Sequence, residues 1–273
     1  MNAAGMTAER CEALERSEIE AMKDRMAAIR ERPGNPEGVE VETFGDAVAL
    51  YAKTMPWPQF NAVKGISERE VPLLDEIIRF YDDRGRPPQF EITPGNGTRA
   101  LFRALHDRGY AQSGFHATLY RSMSHDDDSG GGRTESVRVR ELQVADATLY
   151  ATIHCRGTGL GDDGIDPVRR NNEVLMRREG WRFFAAEAEE EDPAAVGVMF
   201  MKDRTASLTF ATTLPAYRGR GLQSALLRER IAVAVATGCE LIVGQAAFAS
   251  QSYRNMERAG MTLGYTRATW TKM

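Results

Sequence analysis

The stretch Thr213-Leu-Pro-Ala-Tyr-Arg-Gly-Arg-Gly-Leu-Gln-Ser-Ala-Leu-Leu227 puts a glycine-rich turn between an extended segment, Ser207 to Thr213, and a helical run that begins near Leu222. Such a turn delivers the chain to a helix N-terminus. Several backbone N–H groups there have no intrahelical partner and the helix dipole is positive, so an anion belongs at that point. Gly219 and Gly221 permit a sharp bend and a close approach of main chain to ligand. Arg218 and Arg220 add charge-assisted donors suited to phosphate. The alternative is a glycine-bearing surface turn in front of an amphipathic helix.

Two other phosphate loops do not fit. A Walker loop ends in Gly-Lys-Ser/Thr, which is absent, and a dinucleotide fingerprint requires a third glycine where Ser224 stands. Tyr217-Arg-Gly-Arg-Gly-Leu-Gln-Ser-Ala-Leu-Leu227 resembles the Arg/Gln-x-x-Gly-x-Gly/Ala motif of the GNAT N-acetyltransferase superfamily. Pro215 stands where that family often has proline, and Gln223 stands where Gly or Ala is usual. Downstream, Ser252-Tyr-Arg-Asn-Met-Glu-Arg-Ala-Gly-Met261 resembles the last helix of the family and its Gly-Phe ending, with Met261 in place of Phe.

The resemblance implies a transfer of an acyl group from coenzyme A to an amine, with acetyl-CoA as co-substrate and no metal. It assigns the pyrophosphate to main-chain N–H groups of Arg218, Gly219, Arg220, Gly221, Leu222, Gln223 and Ser224. It lays the pantetheine arm along Ala211, Thr212 and Thr213, where a strand N–H polarises the thioester carbonyl. Ser252 and Asn255 complete the cofactor site on the last helix. In many GNAT enzymes a tyrosine four residues before the terminal glycine is the proton donor, and that position here is Met256. Tyr253, about one turn earlier, and Asn255 are the catalytic candidates; a half-buried aromatic and a surface asparagine are the alternatives. No Asp or Glu falls on Ser207 to Thr213. Glu187 is a candidate base acting through water, and His154 a candidate for the acceptor site.

Outward from the loop, the pattern predicts an α/β chain of the mixed-sheet (α+β) kind with two GNAT-like domains, the second complete and the first partial. Residues 1–38 hold a helix, Ala8 to Arg30, capped by Thr7; it packs on the first domain, with a homodimer contact as the alternative. Residues 39–123 form the first, degenerate domain. Its expected elements are a strand Val39 to Phe44, a short helix Gly45 to Lys53, a strand Phe60 to Lys64 and a helix Ser67 to Asp83. A strand Gln89 to Thr93, a helix Thr98 to Arg108 and a strand Gly114 to Arg121 follow.

Residues 124–136 combine three aspartates with three glycines and read as a linker. Asp126-Asp-Asp128 as a metal site is the lesser alternative. Residues 137–273 form the acyltransferase domain, with elements in the order β-α-α-β-β-β-α-β-α-β. One internal echo supports a duplication. Arg108-Gly-Tyr110 with Gly114 to Tyr120 matches Arg258-Ala-Gly-Met261 with Gly264 to Trp270, each a helix, a glycine stop and an aromatic-rich strand.

The bulk properties bound the rest. The length, 273 residues, suits two average domains. A formal charge of -4 argues against nucleic acid as a partner. No apolar run is long enough for a membrane span, and Met1 to Met22 lacks the apolar core of a secretory leader. Cys11, Cys155 and Cys239 are odd in number and far apart, which points to a reducing cytoplasm. A small-molecule amine is the expected acceptor. A peptide N-terminus, or a non-catalytic acyl-CoA-binding module, is the alternative.

Overall fold

A computed structural model describes residues 5–55, 57–123, 137–188 and 192–273. The expected linker, its Asp126-Asp-Asp128 triplet and the turn at 189–191 lie outside the described residues. The chain forms two compact units. The first comprises Met1–Thr118, Ala246–Phe248 and Leu263–Met273; the second comprises Leu119–Gln245 and Ala249–Thr262. No helix among the described residues is long and apolar enough to cross a membrane.

The first unit opens with α1 (Ala8–Arg30), whose N-terminus is closed by the Thr7 hydroxyl accepting from the Arg10 N–H. α1 packs on the hairpin of β1 (Val39–Phe44) and β2 (Ala47–Ala52). The expected helix over Gly45 to Lys53 is therefore a strand. Gly45 at φ 63° turns the chain so that Phe44 pairs with Ala47, and β3 (Ala62–Lys64) bonds the other edge of β2. Every residue of β2 is buried, and two flanking strands satisfy a backbone that local propensity left free to be helical.

Ser67 and Glu70 form a capping box over a 3-10 turn, and α2 (Leu74–Asp82) follows Pro72 rather than running straight from Ser67. β4 (Gln89–Ile92) then pairs in parallel with β3. α3 (Arg99–Asp107), capped by Thr98, leads through Gly109 into β5 (Tyr110–Ser122). Tyr81, Phe90, Leu101, Leu105 and Tyr110 fill the core of this unit.

The second unit runs β6 (Val137–Leu142), α4 (Ala147–Thr158), α5 (Ile165–Met176), β7 (Trp181–Ala188), β8 (Ala195–Lys202) and β9 (Thr205–Thr213). α6 (Leu222–Ala236), β10 (Leu241–Ala247), α7 (Gln251–Arg258) and β11 (Thr262–Lys272) follow in sequence. Asp146 stands at the start of α4 as expected, but its carboxylate accepts from Arg140 and the Gln143 N–H rather than capping α4 itself. β6, β7, β8 and β9 are antiparallel in succession, and β10 lies parallel to β9.

Two stretches of the chain share a plan. β1-β2-β3-α2-β4-α3-β5 repeats as β7-β8-β9-α6-β10-α7-β11, with two antiparallel pairings followed by a parallel pair joined through a helix. Packing does not follow the boundary at the linker, however. β11 was expected to complete the second domain, yet all but its first residue belongs to the first unit. Ala268, Thr269 and Trp270 pair antiparallel with Ile92, Glu91 and Phe90 of β4, and Trp270 stacks on Phe102 at 5.2 Å. Backbone pairing plus a buried aromatic outweighs sequence proximity here.

Candidate functional site

A cleft of about 560 Å³ opens in the second unit beside the glycine-rich turn. Its walls are residues 208–213 of β9, the turn itself, the first turns of α6, Gln245 of β10 and one face of α7. The parallel register of β9 and β10 explains the opening. It runs from Thr205↔Leu241 to Leu208↔Gly244, and beyond that the strands carry on without further pairs among the described residues. On the β10 side, the edge of residues 209–213 faces the opening instead of a neighbouring strand, while the other edge stays paired with β8.

β9 is also bulged at this place. Val196 pairs with Thr212 and Val198 with Thr209, so three steps on β9 face two on β8. The extra residue sits at Phe210, held at φ 42°, a conformation that a bulky side chain adopts only under constraint. The bulge re-aims main-chain groups of Phe210 and Ala211 at the cleft.

The turn has the expected backbone. Gly219 lies at φ 80° and Gly221 at φ 82°, and a Cβ on either would meet nothing within 4 Å. Their requirement is conformational, and the space around them is open to a ligand. Gly221 is the N-cap of the 15-residue α6 and no side chain caps that end. The free N–H groups of the first helical turn, with the dipole behind them, open into the cleft.

The arginines act differently from expectation. Arg218 lines the opening, but its guanidinium is held by the protein: Nη2 donates to the Gly157 carbonyl at the end of α4 (3.1 Å) and Nε to the Thr213 carbonyl (3.4 Å). It ties the turn to the last carbonyls of a helix, where a cation is favoured. Arg220 lies over the Tyr217 ring at 4.9 Å and does not line the cleft. Gln223 donates from Nε2 to the Thr213 hydroxyl (2.9 Å), so the residue that departs from the family motif bridges α6 and the end of β9.

Of the remaining expected site residues, Ala211, Thr212, Thr213, Leu222, Ser224, Ser252 and Asn255 all line the cleft. The Asn255 Oδ1 accepts from Gln251 Nε2 (2.9 Å) and Arg258 Nη2 (2.5 Å). That leaves its amide N–H₂ as the group with donors to offer. Tyr253 is buried and does not line the cleft. Burial and the neighbouring Glu257 carboxylate raise its phenol above the ordinary range. Met256 lines the cleft in the place where the tyrosine is common in the family. Glu187 pairs with Arg138 at 3.4 Å, outside the cleft. His154 is buried, stacked on Tyr150 at 5.6 Å and 6.5 Å from Phe210, behind the bulge.

Two lining residues escape a reading by motif. Gln245 marks the point where β10 parts from β9. Arg230 lies on the buried stripe of α6 with Leu222, Leu226 and Ala234, is 3% exposed, and reaches the cleft. A charged residue one turn beyond Leu226 in an apolar stripe is the signal that marks it.

Residues 149–260 match the Acetyltransferase (GNAT) family. A GCN5-related N-acetyltransferase from Kribbella flavida superposes over 99% of this chain and 96% of its own, with a TM-score of 0.68 and 14% identity. A GCN5-related N-acetyltransferase from Sphaerobacter thermophilus covers 98% of this chain and 94% of its own, with a TM-score of 0.62 and 14% identity. A tandem GNAT protein from the clavulanic acid biosynthesis pathway covers 73% and 68%, with a TM-score of 0.57 and 12% identity. No curated protein matches the sequence. At these identities the superpositions speak for the fold alone, and it is the segment 149–260 that matches the GNAT acetyltransferase family.

Proposed function

We propose that the second unit binds an acyl-CoA in this cleft and transfers the acyl group to the amine of a small molecule. The observation that carries the reading is a convergence at one opening. An uncapped helix N-terminus behind two left-handed glycines meets a parallel strand pair that parts at Leu208 and Gly244 and is bulged at Phe210. The helix end suits the pyrophosphate, and the unpaired strand edge suits an extended amide-bearing arm. A re-aimed main-chain N–H near Phe210 suits the thioester oxygen as negative charge develops on it. Asn255 and Ser252 supply side-chain polarity on the opposite wall. The free thiols of Cys11, Cys155 and Cys239 suit a reducing cytoplasm.

We read the first unit as a GNAT-like half without a cofactor site. The segment between its parallel strands carries its own anion: the buried Glu70 carboxylate accepts from the Ser67 N–H, the Ser67 hydroxyl and the Asp46 N–H. A phosphate would meet that charge.

The test is acetyl-CoA-dependent thiol release over a panel of amino acids, amino sugars, polyamines and short peptides, alongside calorimetric CoA binding. Turnover with a small amine is the expected result. Gly221→Val should abolish CoA binding while leaving the fold intact by circular dichroism; unchanged affinity would sink the loop assignment. A second reading, an acyl-CoA-binding module without turnover, is favoured by Met256 in the proton donor's place and by Tyr253 standing outside the cleft. Tight CoA binding with no thiol release on any amine would support it.

A further inference from the structure

Among the described residues Arg230 has no counter-charge. Its Nε donates to the Leu226 carbonyl (3.1 Å) and its Nη1 to the carbonyls of Val198 (3.0 Å) and Thr209 (3.5 Å), while Nη2 makes no hydrogen bond among the described residues. No carboxylate among the described residues forms an ion pair with it, and burial without compensation pushes its guanidinium down to about 10. A buried, unpaired cation is costly to hold, and neutral carbonyls replace only part of its lost hydration.

The surroundings are shaped for the guanidinium. A Cβ at Gly197 of β8 would stand 2.9 Å from the Arg230 Cζ, so the glycine leaves room for it in mid-strand. The group also lies at a telling position along the cleft. Arg230 is eight residues into α6 from Leu222, about 12 Å along the axis at 1.5 Å per residue. Its Nη1 touches the Thr209 carbonyl, next to the bulge at Phe210. On the reading above, pyrophosphate occupies the first turn of α6 and the thioester lies at the bulge. On that reading the guanidinium stands beside the position of the thioester.

We propose that Arg230 recognises a terminal carboxylate on the acyl chain, so that the donor is a dicarboxylic monothioester of CoA, of the malonyl, succinyl or glutaryl class. The carboxylate would supply the missing counter-ion through a charge-assisted hydrogen bond from Nη2. The reaction is otherwise unchanged. The amine nitrogen bonds to the thioester carbon, the C–S bond breaks, CoA leaves as the thiolate, and the amine proton passes to it, directly or through water, to give the thiol. The far carboxylate stays ionised on Arg230 throughout. This inference rests on the acyl-CoA reading of the cleft.

The experiment is equilibrium binding of CoA, butyryl-CoA and succinyl-CoA to the full chain, which needs no acceptor amine. The wild-type protein should bind succinyl-CoA at least tenfold more tightly than butyryl-CoA. Arg230→Met, which keeps the apolar volume of the stem, should reduce that ratio to about one and leave CoA itself bound as before. Equal affinity for the two thioesters in the wild-type protein overturns the proposal whether or not the variant folds. So does a preference that survives in the variant. Normal CoA binding without a carboxylate preference leaves the acyl-CoA reading standing, whereas no binding of any of the three ligands removes both.

Discussion

Gly219, Gly221 and Gly197 are glycines for two different reasons, and the difference is testable. The first two sit in the left-handed region with open space around them, so alanine there meets no clash but must adopt an unfavourable φ. Gly219→Ala and Gly221→Ala should each lower the unfolding free energy by about 1–2 kcal/mol in urea titrations. Gly197 is not among the residues at positive φ, and its constraint is the guanidinium at 2.9 Å. Gly197→Ala should cost about 1–3 kcal/mol by crowding Arg230, and the double variant with Arg230→Met should recover most of that loss. A fully additive double variant would show that the two residues do not share this space.

Among elements, the turn before α6 depends on ties to its neighbours. Arg218 links it to the end of α4 and to β9, and Gln223 links the first turn of α6 to Thr213. Arg218→Met removes hydrogen bonds made by a charged group and frees the turn without touching the main-chain donors. The expected outcome is a KM for acetyl-CoA raised about tenfold with kcat within about twofold, consistent with a loss near 1.5 kcal/mol. An equal fall in kcat would instead place Arg218 in the chemistry. The loop, its helix and the strand before it were legible in the sequence because each rests on local rules of glycine conformation and helical periodicity. The direction of the Arg218 side chain was not, because its partner Gly157 is distant in sequence and the motif alone suggests phosphate. The bulge at Phe210 was equally hidden, since it follows from the register of β9 against β8.

For the whole molecule, the first unit holds a buried network of charges. Lys64 bonds Glu18 (2.8 Å) and Glu91, and Arg267 bonds Glu18 and Glu91 (3.1 Å to the latter), with Gln89 donating to Glu91 (3.0 Å). The side chains of Lys64 and Glu91 are each 4% exposed. Burial alone would raise the Glu18 and Glu91 carboxyls, but Arg267 and Lys64 hold both well below the usual carboxylate range. Burial, and then Arg267, lower the nearby His116 below its ordinary value. The signs agree. Depressed carboxyls contribute stability that is complete above about pH 4.3 and is lost as pH falls through their folded values; a depressed histidine begins to lose stability below about pH 6.5, where the unfolded chain takes up the proton first. Thermal unfolding followed from pH 7 to pH 3 should show a falling Tm throughout, steepest below pH 4. Glu18→Gln should flatten the acid limb and lower stability by about 3–5 kcal/mol at pH 7, because it leaves two buried cations sharing one carboxylate.

The sequence by itself determined the glycine-rich turn, the caps at Thr7 and Ser67, the order of elements after the linker and the repeated helix–glycine–strand ending. These are decided within a few residues by φ preferences, caps and side-chain period. Only the tertiary structure decided that Ala47–Ala52 is a strand, that β11 pairs with β4, that Tyr253 stands off the cleft, and that Arg230 is buried without a counter-ion among the described residues. Each depends on which distant backbone or charge comes alongside, and pairing and burial energies of that kind override local preference.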